Sequence, residues 1–198
     1  MRNQIVLTLA ASAFVMASAV HAQAQGQAPL AVPNPSYTSI MMEIDVNRPV
    51  AEVWKRVGKY CDISEWLQIG AGCTITSGKD GELGAVRSVA AEILVGKTEY
   101  SYTYTQPVRE GRPYNMYHGT IEARAVTPTT SKLVYVLMWD NSTLADEAAK
   151  EKDRESRRAT FTRALQNMKT LAEGGTLPAP PARGGGAGGA RGATPPGN

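Results

Sequence analysis

Apolar and polar positions alternate through the stretch YTSIMMEIDVN. Ile40, Met42, Ile44 and Val46 fall on one side, with Glu43 and Asp45 on the other, which predicts a half-buried strand. The next run, RPVAEVWKRVGKY, changes period. Val50, Val53, Trp54 and Val57 keep the spacing of a short amphipathic helix, and Pro49 suits its first position. DISEWL reads as a second short helix with Asp62 as N-cap. Strand-like runs then follow in series: CTITS, GAVRSVAA, EILVGKT, YSYTYTQ, YNMYHGTIEARAV and SKLVYVLMWD. They are rich in Val, Ile, Thr and Tyr and are broken by Gly, Pro, Asp and Ser. With no helix between them, these strands are expected to form antiparallel hairpins. The last patterned segment starts near Thr143 and Asp146, a capping-box-like pair, and ends at Gly174 and Gly175. Its later turns carry Phe161, Ala164, Leu165, Met168 and Leu171 on one stripe, which predicts a single helix of about 30 residues, longer than the average helix. An antiparallel sheet must bury one face, and this helix supplies the apolar stripe to cover it.

The two ends differ from this middle. Arg2 precedes an uncharged, mostly apolar run from Ile5 to Val20 and then VHA, the layout of a secretory signal peptide cleaved after Ala22. The run is short for a membrane span of roughly 20 residues, so no stable membrane insertion is expected once the leader is gone. The expected location is periplasmic or secreted. Residues 23–35 read as a flexible lead-in, residues 36–174 as one domain, and residues 175–198 as a disordered Gly/Pro-rich tail dispensable for folding. The formal net charge of +3 arises from Arg2, Arg183 and Arg191, all outside the domain, which is itself balanced. Without a basic patch, nucleic-acid binding is not expected.

Secretion permits disulfides. Cys61 and Cys73 are the only cysteines, spaced too widely for a C-x-x-C redox motif. The only histidine outside the leader is His118, too few ligands with two cysteines to complete a zinc site without carboxylates. A structural disulfide is the reading adopted, contributing roughly 3 kcal/mol in the chain-entropy model. No metal or cofactor is called for. The sequence has no G-x-S-x-G elbow and none of the glycine-rich nucleotide loops.

The order of elements, together with RPVAEVWKRVGKYCDISEWL, YSYTYTQP and YHGTIEARAV, resembles the START-like helix-grip superfamily over residues 37–173. Within it, the chain resembles the polyketide cyclase/dehydrase and lipid-transport branch. That resemblance implies an α+β fold: a curved antiparallel sheet of about seven strands wrapped around a long C-terminal helix, with two short helices after the first strand. It also implies a hydrophobic cavity for a small apolar or aromatic ligand. Tyr100, Tyr102 and Tyr104 form a period-two stripe that would either line such a cavity or pack across strands. Tyr117 and Tyr135 join them as candidate ligand contacts, and Trp66 as a gate at the mouth or a core residue. Trp54 is read as core. His118 shares parity with Glu122 and Arg124 and is placed at the surface or rim. Arg87 and Glu92 are the best candidates for buried charge, although solvated edge positions are favoured. Two functions stay open: a binding protein, which is favoured, and a metal-free cyclase, dehydratase or isomerase acting through a Tyr or a carboxylic acid.

Overall fold

In a computed structural model of the chain, the structure describes residues 34–108 and 116–179. Residues 1–33, which hold the expected leader and most of the expected lead-in, and residues 180–198 of the expected tail lie outside the described residues.

The alternation in the first stretch becomes strand β1 (Tyr37–Val46), and the change of period becomes helices α1 (Val50–Val57) and α2 (Ile63–Trp66). Strands β2 (Ile75–Ser77), β3 (Val86–Arg87), β4 (Glu92–Thr98), β5 (Ser101–Thr105), β6 (Tyr117–Thr127) and β7 (Thr130–Asp140) follow, and helix α3 (Glu147–Ala172) ends the fold. The strands form one antiparallel sheet in the order β1-β7-β6-β5-β4-β3-β2. Register brings Ile40, Leu137, Gly119, Tyr104 and Leu94 into one row, and Met42, Tyr135, Ile121 and Tyr102 into the next. Both rows face α3, whose Ala164, Leu165, Met168 and Leu171 are buried against them. This is the helix-grip arrangement that the family resemblance implies.

Details of the caps and ends differ from the sequence reading. Pro49 is the N-cap of α1 rather than its first residue. Asp62 does not cap α2 through its side chain, which instead accepts from the Lys59 backbone N–H at 2.9 Å and closes the preceding turn. Helix α3 begins at Glu147, with Asp146 accepting from the Ala149 N–H at 2.8 Å, so the helix is shorter than the pattern suggests. Along β1, the outer sheet edge is covered by α3: Arg158 and Lys169 donate to the Met41 and Asp45 carbonyls.

The folded unit also runs past the helix. Gly174 takes a left-handed φ of +86° and turns the chain back. Leu177, read as part of the tail, packs against the core, and the Pro178 carbonyl accepts from Gln68 Nε2 at 2.6 Å. The Cys61–Cys73 disulfide is present, with a Cα–Cα distance of 5.3 Å, and closes the loop that carries α2 and Gln68.

Candidate functional site

Trp54, Tyr60 and Tyr102 come from three elements and meet at one corner of the concave face. Trp54 is on α1, Tyr60 follows that helix, and Tyr102 is on β5. The Trp54 and Tyr102 rings are tilted with centroids 5.9 Å apart, and Tyr60 meets Tyr102 edge-on at 5.4 Å. Gly58, one turn beyond Trp54, makes this possible. A Cβ there would lie 2.4 Å from the indole, so only glycine lets the ring fold back along the helix. The three rings and Leu94 wall a half-open pocket of about 210 Å³. A dry cavity of about 150 Å³ accepts benzene, so this one holds a ring with a short substituent. Lys59, Asp80, Lys97 and Glu99 stand around its mouth.

Behind two of these walls lies a buried polar network. Arg87 has no exposed surface and Glu92 almost none. Arg87 Nε donates to Glu92 Oε2 at 2.7 Å, and Nη2 lies close to the same oxygen without being aimed at it. Gln106 donates to the other carboxylate oxygen at 2.8 Å. The guanidinium lies over the Tyr60 ring at 4.3 Å and the Tyr104 ring at 4.7 Å. Its Nη1 donates to the Tyr60 carbonyl and, at 3.4 Å, to the Tyr102 hydroxyl. Burial alone would lower the Arg87 pKa, but Tyr102, Glu92 and Tyr104 together raise it, so the group stays charged. Burial pushes the phenols of Tyr60 and Tyr102 up, and Arg87 opposes the shift at both. The Tyr60 hydroxyl is buried and has no hydrogen-bond partner among the described residues. Solvated edge positions for Arg87 and Glu92 are therefore incorrect. The two residues pair directly across the β3–β4 turn, and the surrounding rings shut out water.

The six candidate contacts named from the sequence separate in space. Tyr102 lines the pocket. Tyr104 and Tyr135 share a hydroxyl–hydroxyl hydrogen bond of 2.7 Å deep in the core, and burial drives both phenols well above their ordinary pKa. Gly119, opposite Tyr104, gives that ring its place, since a Cβ there would lie 2.3 Å from the phenol. Tyr117 is buried beside Tyr104. Trp66 is fully enclosed rather than at a mouth. Its ring packs edge-on to Tyr135 at 6.2 Å, and its carbonyl accepts from Asn167 of α3 at 2.8 Å. Tyr100 lies in the turn before β5, half-buried against the core and outside the pocket lining. His118 is half-buried on the outward parity of β6, and burial lowers its pKa.

Trp54, Tyr60 and the four mouth charges were missed. Helical spacing alone assigns Trp54 to the core, and the W-x-x-x-G step to Gly58 is the local signal that its ring turns aside. Among the described residues, no group of His, Cys, Asp and Glu is arranged to hold a metal, and no helix is long and apolar enough to cross a membrane.

The fold has relatives among solved structures. A Thermobifida fusca protein solved by solution NMR is 21% identical, with a TM-score of 0.57, covering 70% of this chain and 97% of its own. The Zhui aromatase/cyclase from Streptomyces sp. R1128 is 14% identical, with a TM-score of 0.54, covering 71% of this chain and 100% of its own. A truncated norcoclaurine synthase from Thalictrum flavum is 10% identical, with a TM-score of 0.53, covering 72% and 97%. At these identities the likeness concerns the fold. Among curated proteins, no sequence matches this chain. The family described as "Polyketide cyclase / dehydrase and lipid transport" matches residues 37–173, and with that span covering the whole sheet and its gripping helix, the chain belongs to this family.

Proposed function

We propose that the protein is an exported binding protein whose aromatic pocket holds a small, oxygen-bearing aromatic or apolar ligand. One observation carries this reading: Trp54, Tyr60 and Tyr102 converge from three elements on a half-open aromatic pocket of about 210 Å³. The Tyr60 hydroxyl itself is shut off from the open space of the pocket, so a shift of the side chain that brings it to a ligand oxygen or nitrogen recovers part of the about 1–3 kcal/mol that an unsatisfied buried hydroxyl costs. Binding is favoured over catalysis because the buried charges are engaged with one another. Arg87 is matched by Glu92, and Glu92 is held by Gln106 as well. Export is supported by the leader pattern, and the Cys61–Cys73 bond suits an oxidising compartment.

The test is Tyr60→Phe, made in protein recovered from the exported fraction and beginning at Gln23. Removing an unpartnered hydroxyl leaves stability equal or slightly higher. Affinity for a phenol-bearing probe, measured by calorimetry, falls about tenfold, while affinity for the matching hydrocarbon holds. A variant that loses stability, or that binds both probes as before, sinks the reading.

A further inference from the structure

From the charges at the pocket mouth, we infer that the ligand carries a head group of both signs, an ammonium and a carboxylate on a short stem from one ring. This rests on the aromatic pocket being the binding site. Lys59 at the end of α1 and Lys97 on β4 supply two positive charges, and Asp80 before β3 and Glu99 in the β4–β5 turn supply two negative ones. None of the four forms an ion pair with another. Lys97 instead donates to the Gly81 backbone carbonyl. Charges nearby behave differently. Lys79 pairs with Glu82 at 2.7 Å, one residue to either side of the Asp80–Gly81 turn, and Arg56 pairs with Glu65 at 2.7 Å.

The buried pair adds no net charge, because Arg87 is matched by Glu92. A ligand with one charge is matched by only one pair of mouth groups. A neutral ligand uses neither pair. A zwitterion is matched by both, and the pocket volume fits one ring with a two- or three-carbon stem. The chemical class is therefore that of an aromatic α-amino acid or a close derivative. Each exposed charge contact changes affinity about threefold, so the zwitterion gains about tenfold over its neutral counterpart.

Four probes with the same ring test this on the mature chain: phenylalanine, 3-phenylpropionate, 2-phenethylamine and 3-phenylpropanol, each titrated by calorimetry. Phenylalanine is expected to bind about tenfold more tightly than the alcohol, with the acid and the amine between them. Lys59→Met shifts the preference from acid towards amine, and Asp80→Asn shifts it the other way. Both positions lie at the pocket mouth, and melting curves check that each variant folds. If the alcohol binds as tightly as the amino acid, or if neither substitution moves the acid-to-amine ratio, the inference is overturned. If none of the four binds while a phenolic probe still binds in a Tyr60-dependent way, the head-group inference fails and the pocket stands. If no aromatic probe binds at all, the pocket reading fails with it.

Discussion

A guanidinium taken wholly out of water costs several kcal/mol unless its surroundings replace the lost hydration. Around Arg87 the replacement is specific: a carboxylate, a backbone carbonyl and two ring faces. Each partner is itself fixed. Glu92 is tied by Gln106, and Tyr104 is seated on Gly119. Removing one charge leaves the other buried and unmatched, so Arg87→Met is expected to cost about 3–5 kcal/mol in a denaturant titration. The double variant Arg87→Met/Glu92→Met should lose clearly less than the sum of the two single losses, and strict additivity would show that the pair is not coupled. The sequence marks both residues as odd charges in apolar runs, yet it does not place them. Their burial depends on Tyr60, Tyr102 and Tyr104, which approach from other elements, and parity along a two-residue strand has nothing to count. The same limit explains the six candidate contacts. Inward parity correctly turns Tyr102 and Tyr104 towards α3, but which of them meets a pocket depends on how completely α2 and Trp66 fill the space beside Tyr135.

At the scale of elements, period was informative and punctuation was not. The switch from alternation to helical spacing at Pro49, and the long stripe from Phe161 to Leu171, locate β1, α1 and α3 closely. GAVRSVAA, by contrast, reads as a continuous strand, but only Val86 and Arg87 pair as β3. The chain reverses at Ala90 and Ala91, which have φ of +53° and +52°, and the Glu92 N–H closes the turn on the Val89 carbonyl at 3.1 Å. Such a turn ordinarily announces itself with Asn or Gly. Two alanines are silent in the sequence and strained in the structure, because each left-handed non-glycine residue costs about 1–2 kcal/mol. The strain lies in the turn that joins Arg87 to Glu92. Replacing Ala90 with Asn and Ala91 with Gly should therefore stabilise the fold by about 1–2 kcal/mol, read as a higher denaturant midpoint at unchanged slope. An unchanged or lower midpoint would mean that the turn adopts another conformation in solution.

For the whole molecule, the open question is where the folded unit ends. Composition draws the boundary at Gly175, since Gly and Pro dominate beyond it and only Leu177 offers a large apolar side chain. The structure moves the boundary outward. After Gly174 reverses the chain, the Gly175 N–H returns to the Thr170 carbonyl at 2.8 Å, Leu177 lies against the core, and Pro178 is held by Gln68. Gln68 sits in the disulfide-closed loop and has a left-handed φ of +55°. The strap thus ties the end of α3 to the segment that carries Trp66 and follows directly from Tyr60 of the pocket wall. Half-burying a leucine is worth about 1 kcal/mol by area, and the exposed hydrogen bond adds less. A loss of that size lowers the melting temperature of a domain this large by about 4 °C. Truncation after Ala179 should leave the melting temperature where it is, while truncation after Gly175 lowers it by about that amount. Leu177→Ala in the longer form should reproduce most of the drop, separating the side chain from the hydrogen bond. Should the two truncations melt together, the strap does not hold in solution, and the composition boundary at Gly175 is the correct one.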